Sequence, residues 1–277
     1  MKKFVPLILV STLFAGSFGT AQAEGFWDSL KQLGNALSGN KQATPDGMAA
    51  TVMNNTHSSI NRSKGCWMKG DICFKPASLF TVTFNGTGQK QYYLLAKDED
   101  GEMGRAEMFV FEQVDDRGNV RILDTETAGS NGYIEGTDVQ IGKNLYGWKI
   151  HSSPMVADQD GYDTYYVFHN GKIRDMGSVY TIYTKMISSR FDKRKQLPIS
   201  RVNEYTGETK LDTSNPNAEI YPLKITYKGI LNGTKECGGC DVTGGKKLSR
   251  QTLTVQADPQ TMRYRIPSSC PVRANWK

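Results

Sequence analysis

Short segments rich in aromatic and β-branched residues recur along most of this chain, and they constrain the fold more than any other feature. Turns containing Gly, Asn or Asp separate the segments, and Asn170-Gly171 is a strong two-residue hairpin signal because both positions tolerate positive φ. The pattern predicts a mainly β protein, built as an antiparallel sandwich, a barrel or a propeller-like array. The predicted strands are 79–84, 91–96, 107–114, 119–125, 145–151, 164–169, 179–186, 221–231, 253–257 and 262–267.

The residues ahead of the strands have helical spacing. Leu30, Leu33 and Leu37 fall on one face of a helix over residues 25–39, which predicts a helix that docks on the domain or on a partner. A linker follows, and Pro45-Asp46 indicates the start of a second helix. One or two short N-terminal helices are therefore expected.

The domain organisation follows from these patterns. Residues 24–45 are predicted to form the amphipathic helix and its linker, and residues 46–277 a β-rich domain that contains disulfides. A chain of this length can bury a substantial core. The stretch 187–219 is polar and weakly patterned, so a division of the domain near those residues is left open.

The first 23 residues have the three-part pattern of a secretory signal peptide. Lys2 and Lys3 give a positive start, an apolar run covers residues 4–14, and Ala21-Gln22-Ala23 supplies small residues for cleavage. No later segment is apolar enough to span a membrane. The sequence thus predicts a protein of the periplasm or the exterior, with a mature chain that begins at Glu24.

Export gives the five cysteines a structural meaning, because thiols pair in oxidising compartments. Cys66 and Cys73 flank a short loop and are predicted to form one disulfide. Cys270 is predicted to pair with Cys240, with Cys237 as the alternative partner. One cysteine is then left over.

The spacing Cys237-Gly238-Gly239-Cys240 also matches a redox dithiol. Such a site needs the pair at a helix N-terminus, where the helix dipole lowers the thiol pKa. The glycines within and after this motif indicate turns instead, so the structural interpretation is favoured.

Two acidic loops share the pattern Asp-x-Asp-Gly. They are 98–101 and 158–161, and an aromatic strand follows each. Over roughly residues 80–185 the chain resembles FG-GAP or VCBS-type repeats, whose acidic loops bind calcium between propeller strands. The resemblance implies calcium ligands at Asp158, Asp160 and Asp163. Because Asp-Gly is also an ordinary hairpin dipeptide, a role as simple turns is the favoured alternative.

The sequence contains no motif that identifies a catalytic histidine or nucleophile. The three histidines are His57, His151 and His169, and no His-Glu-x-x-His run or nucleophile elbow accompanies them. His151 and His169 end predicted strands, where packing or surface roles are common. No catalytic residue and no required cofactor is predicted.

A basic run covers residues 185–195 and includes Lys193, Arg194 and Lys195. These cations are candidates for binding an acidic protein or an anionic glycan, whereas a solvated loop is the ordinary alternative. Removal of Lys2 and Lys3 with the signal peptide lowers the formal net charge from +6 to +4, which is too mild to indicate nucleic acid.

The sequence therefore predicts an exported β-rich binding protein of the cell envelope, in the class of inhibitors, immunity factors and assembly accessories. Its partner would be a protein or glycan of the envelope. Two alternatives stay open: an extracytoplasmic hydrolase acting on glycan or peptide, and a calcium-stabilised propeller-like module.

Overall fold

A computed structural model describes residues 44–83, 88–98, 104–129, 132–154, 160–236 and 240–274. The predicted signal peptide over residues 1–23 and the predicted helix over residues 25–39 lie outside the described residues. Within them the chain has one helix, α1 (Pro45–Thr56), and two antiparallel sheets. The strands are β1 (Ser59–Asn61), β2 (Cys66–Lys69), β3 (Ile72–Thr83), β4 (Lys90–Asp98), β5 (Arg105–Gln113), β6 (Val120–Gly129), β7 (Gly132–Gly142), β8 (Leu145–Pro154), β9 (Gly161–His169), β10 (Lys172–Asp192), β11 (Leu197–Leu211), β12 (Leu223–Lys235) and β13 (Lys246–Val255).

The two sheets have simple topology. Strands β1 to β6 form sheet 1 and strands β7 to β13 form sheet 2, and in each sheet the neighbours in space are neighbours in sequence. Across the strands that the structure describes, neither sheet closes on itself, so the closed barrel among the predicted alternatives is wrong. The mainly β, antiparallel prediction is confirmed.

Helix α1 begins where the sequence predicts. The Thr44 side chain accepts a hydrogen bond from Gly47 N at 3.2 Å, and Pro45 occupies the first turn. Met48, Val52 and other buried apolar residues of the helix pack against the outer face of sheet 1. That burial explains a helix whose intrinsic length would make it marginal alone.

A buried carboxylate, Glu107, contacts the residue that follows this helix. His57, directly after α1, lies 3.2 Å from the Glu107 carboxylate (Nε2 to Oε2), and Lys69 Nζ lies 2.5 Å from Glu107 Oε1. Burial acts to raise the pKa of Glu107, but the hydrogen bonds and charges of His57 and Lys69 lower it below the usual value. The Glu107 carboxylate thus stays ionised between two strands and the helix.

Sheet 1 is buried on both faces. In β5, Phe109 and Phe111 face the helix, whereas Met108 and Val110 face sheet 2, so residues 108–111 form a continuous apolar run rather than an alternating one. Between the sheets Tyr93 meets Trp148 with ring centroids 5.6 Å apart. This shared cluster holds the two sheets face to face.

The other face of sheet 2 is covered by the C-terminal segment, residues 256–274. Its Ile266 and Val272 join the apolar cluster of sheet 2, and Tyr264 donates a hydrogen bond to Tyr221 O at 3.0 Å. The predicted strand over residues 262–267 is instead an irregular stretch with isolated bridges. The irregular C-terminal segment therefore shields this apolar cluster from water.

Residues 187–219, where the sequence left a division open, belong to sheet 2. They supply the end of β10, all of β11 and the turn after it. The predicted strands omit β11, because its sequence is polar and its buried and exposed positions do not alternate regularly.

The cysteines follow the prediction in part. Cys66 and Cys73 form a disulfide between β2 and β3, with their Cα atoms 5.6 Å apart. The predicted pairing of Cys270 is wrong, because Cys270 is a free thiol buried in the cluster under the C-terminal segment. Burial raises the pKa of this thiol. Cys240 is disulfide-bonded, and Cys237 lies outside the described residues.

Candidate functional site

Strand β10 extends past its neighbour β9, whereas β11 stays paired with β12 as far as Ser200, which lies opposite Lys235. Strand β9 begins at Gly161, opposite Ile182, so the later part of β10 has a described partner strand only on the β11 side. We call residues 182–206 the arm. It comprises the end of β10, a four-residue turn and the first part of β11.

The arm has an apolar face. Ile182, Met186 and Phe191 pair with every fourth residue of β11. Side chains that are an even number of positions apart in a strand share a face, so all three lie on the same side of the hairpin. A β-bulge at Ile187 makes this possible, because five positions separate Met186 from Phe191 and a regular strand would turn them to opposite sides. Met186 is 63% exposed and Phe191 60% exposed.

The opposite face and the tip of the arm are cationic. Lys185, Arg190 and Arg201 occupy the alternate register positions and are exposed. The predicted binding residues Lys193, Arg194 and Lys195 form the turn between the strands. The structure therefore brings the basic run of the sequence together with an apolar surface, which the sequence analysis did not anticipate.

The turn at the tip has a defined shape. Asp192 Oδ1 accepts hydrogen bonds from Arg194 N at 2.9 Å and Lys195 N at 3.2 Å, and these bonds lower the pKa of Asp192. Gln196 adopts positive φ and donates to Lys193 O at 2.6 Å. Lys195 also contacts Glu236 at the end of β12. The tip thus presents its cations from a fixed turn.

A second cluster of polar side chains lies on β8 and β9. His151 Nδ1 is 2.7 Å from Asp163 Oδ1, and Ser153 Oγ is 2.9 Å from His151 Nε2. Asp163 Oδ2 contacts Lys149 Nζ at 2.8 Å and accepts a hydrogen bond from Thr209 Oγ1 at 2.5 Å. The alternation of β8 and its register with β9 bring these groups to one face of sheet 2.

The electrostatics of this cluster favour an ionised Asp163. Burial acts to raise the pKa of Asp163, but hydrogen bonds from His151, Lys149 and Thr209 lower it below the usual value. The hydrogen bond to Asp163 raises the pKa of His151, against a smaller opposite effect of burial. The side chain of Asp163 is almost fully buried, and that of His151 is 37% exposed.

The predicted calcium ligands do not converge where the structure describes them. Asp163 uses its carboxylate on Lys149, His151 and Thr209, and the ammonium at 2.8 Å disfavours a cation there. Asp160 accepts a hydrogen bond from Thr184 N at 3.4 Å, and burial raises the pKa of its carboxyl. Asp158 lies outside the described residues, and within those residues no three His, Cys, Asp or Glu side chains are grouped to hold a metal ion.

The comparisons with known proteins are negative: no family model, no curated protein and no solved structure matches this chain. The resemblance to FG-GAP or VCBS-type repeats stays a prediction. No helix among the described residues is both long enough and apolar enough to cross a membrane.

Sequence reasoning missed the polar cluster and the amphipathic arm for the same reason. Ser153 and His151 are two residues apart, but Asp163 is on the next strand, and only the β8–β9 register places it opposite His151. Likewise, the shared face of Met186 and Phe191 depends on a bulge that the sequence does not mark.

Proposed function

We propose that this protein is exported to the periplasm or the exterior and acts there by binding an acidic protein of the cell envelope through the arm. The observation that carries the proposal is the exposure of Ile182, Met186 and Phe191 on one face of the β10–β11 hairpin, on the strand that extends past β9. A grouped set of large exposed apolar side chains is typical of an interaction surface. The predicted signal peptide over residues 1–23 supports the location.

The charges of the arm favour an acidic partner. Its acidic side chains are Asp192, which accepts backbone N–H groups of the turn, and Glu204. Complementary charge increases association rates and selects against basic partners. The cations of the arm are Lys185, Arg190, Lys193, Arg194, Lys195 and Arg201.

The apolar residues favour a protein over a glycan. Glycan sites use exposed aromatic rings for stacking, whereas this face presents mainly aliphatic and thioether side chains. Burial of a side chain such as Met186 or Phe191 contributes about 1.5 to 3 kcal/mol. Two such residues account for much of the affinity of a modest interface once the costs of association are met.

The bulge determines how the partner docks. A regular exposed edge strand invites another strand to pair with it, and bulges and lysines prevent this. The arm has both devices, at Ile187 and Lys185. We therefore expect the partner to contact the apolar face with side chains, without adding a strand to the sheet.

The experiment is affinity capture from the envelope extract of the source cell, with identification of the captured protein. The double variant Met186→Ser, Phe191→Ser should weaken binding of that protein by about two orders of magnitude. The matched control is Val114→Ser, because Val114 is 63% exposed but lies at the β5–β6 turn, away from the arm. The control should bind as the native protein does.

Three outcomes would contradict the proposal. Binding unchanged in the double variant would place the interface elsewhere. Binding of the native protein to anionic lipid vesicles, lost in the double variant, would identify a membrane surface as the target. A lower free energy of unfolding in the double variant would indicate that another part of this chain covers the face.

A further inference from the structure

The polar cluster on β8 and β9 contains a serine, a histidine and an aspartate in line. Ser153 Oγ lies 2.9 Å from His151 Nε2, and His151 Nδ1 lies 2.7 Å from Asp163 Oδ1. The two residues of β8 share a face because they are two positions apart, and Asp163 is the register partner of His151 on β9. Each link is within hydrogen-bond distance without any movement.

The chemistry of the three groups sets the direction of the hydrogen bonds. An ionised carboxylate only accepts, so Asp163 holds the proton of the neutral imidazole on Nδ1. The lone pair of Nε2 then faces the hydroxyl of Ser153. A base that is within reach of a hydroxyl and is oriented by a buried acid is the arrangement of an activated nucleophile.

The surroundings keep that arrangement in place. Lys149 Nζ at 2.8 Å and Thr209 Oγ1 at 2.5 Å hold the second oxygen of Asp163, so the carboxylate is fixed from both ends. Tyr165 OH in turn lies 3.0 Å from Thr209 Oγ1. His151 and Ser153 are only half-buried and can be reached from solvent.

We propose that Ser153 is the nucleophile of an acyl-transfer site that acts on small esters, with His151 as its general base and Asp163 as the positioning residue. This activity is separate from the binding role proposed for the arm and rests on different residues. The predicted alternative of an extracytoplasmic hydrolase named glycans and peptides as substrates. An open strand face suits a small unhindered ester, because such a substrate needs few contacts with the protein.

The reaction balances with water as the only co-reactant. Ser153 Oγ bonds to the ester carbonyl carbon as its proton passes to His151 Nε2, and the C–O bond to the alcohol breaks as Nε2 returns that proton to the leaving oxygen. Water then attacks the acyl-serine with His151 again taking the proton. The carboxylic acid leaves, and Ser153 regains its hydrogen.

The first test is covalent labelling of the purified protein with a fluorophosphonate probe, followed by peptide mass spectrometry. We expect the label on the peptide that contains Ser153, and none on that peptide in Ser153→Ala. The matched control is Ser249→Ala, since Ser249 is an exposed serine on β13, outside the arm. It should be labelled at Ser153 as the native protein is.

The second test is hydrolysis of p-nitrophenyl acetate. Ser153→Ala and His151→Ala should each lower the rate by about 100-fold or more. The rate of the native protein should rise with pH as His151 loses its proton, under the combined fields of Asp163, Lys149 and the facing Glu135. Asp163→Asn should lower the rate and shift that pH profile to lower pH, a change that a purely structural role would not produce.

The proposal fails if Ser153 takes no label in the native protein, or if Ser153→Ala hydrolyses the ester at the native rate. Circular dichroism of Ser153→Ala separates loss of activity from loss of folding. Since this variant removes one half-buried hydroxyl, its fold should be unchanged. Capture of the acidic partner should also be unchanged in Ser153→Ala, so this proposal and the proposed binding role fail independently.

Discussion

Glu107 and Asp163 are buried carboxylates that hold cations at two different places in the fold. Glu107 joins His57 and Lys69 beneath α1, and Asp163 joins Lys149 and His151 on the far face of sheet 2. In each case burial acts to raise the pKa of the carboxylate and its partners lower it below the usual value. The difference is access: the His57 ring is fully buried, whereas His151 reaches solvent. The first cluster is therefore structural, and the second is suited to chemistry.

Glu107→Gln should lower the free energy of unfolding at neutral pH by about 1 to 3 kcal/mol, because it replaces the buried carboxylate that contacts the buried His57 ring and the exposed Lys69 ammonium. The pH dependence follows from the lowered pKa of Glu107. Its contribution is fully present above the unfolded-state value of roughly 4.3 and is lost as the pH falls through the lower folded-state value. Urea denaturation at pH 7 and at about pH 3, which is below the unfolded-state value, measures both effects.

As the pH falls, the free energy of unfolding of Glu107→Gln should decrease less than that of the native protein. Glu208→Gln is the control, since Glu208 is exposed and pairs only with the exposed Arg250 in the described contacts. It should change the free energy of unfolding by no more than about 0.5 kcal/mol. An equal pH dependence in Glu107→Gln and the native protein would contradict the assignment.

At the scale of elements, the arm combines an edge strand with protection against strand addition. The bulge between Met186 and Ser188 interrupts the ladder where β10 has no described neighbour on its outer side. It also aligns Phe191 with Met186 on one face. One inserted residue thus gives the arm both an apolar face and an edge that resists pairing.

Deletion of Ile187 should produce a regular ladder along the end of β10, because Met186 and Ser188 already pair with the consecutive residues Val202 and Arg201. The flat edge would then favour pairing between two copies of the chain. We expect concentration-dependent oligomers in sedimentation velocity. Ile187→Ser keeps the bulge and should sediment as the native protein does; oligomers in this control would point to side-chain polarity instead.

At the scale of the whole molecule, sheet 1 is covered by α1 and sheet 2, and sheet 2 by the C-terminal segment. This last cover has no regular secondary structure, yet it supplies Met262, Ile266 and Val272 to the cluster of sheet 2. The backbone also contributes, since Tyr180 N donates to Val272 O at 2.8 Å. The segment is therefore part of the core and not a tail.

Ile266→Ala should lower the free energy of unfolding by about 2 to 3 kcal/mol, through lost burial and the cavity that remains. Chemical denaturation of the purified protein measures it. Ile60→Ala is the control, because Ile60 is half-exposed in β1 and should change stability by no more than about 0.5 kcal/mol. Equal effects of the two substitutions would mean that the C-terminal segment does not stabilise the fold.

Local features of the fold were predictable from the sequence. The Asn170-Gly171 hairpin is confirmed, with positive φ at both residues. The Cys66–Cys73 disulfide is confirmed because a short loop brings its ends together. Strand β11 was missed, since its many polar residues and its irregular order of buried and exposed positions give no period-two signal.

The sequence by itself determined the mainly β class, the start of α1 and the nearest disulfide, because each depends on residues a few positions apart. Only the tertiary structure decided the placement of Cys270, the apolar face of the arm and the line from Ser153 through His151 to Asp163. Those depend on strand register and on which face each strand buries. A shift of one residue would move every side chain to the opposite face, so long-range packing sets them and local pattern does not.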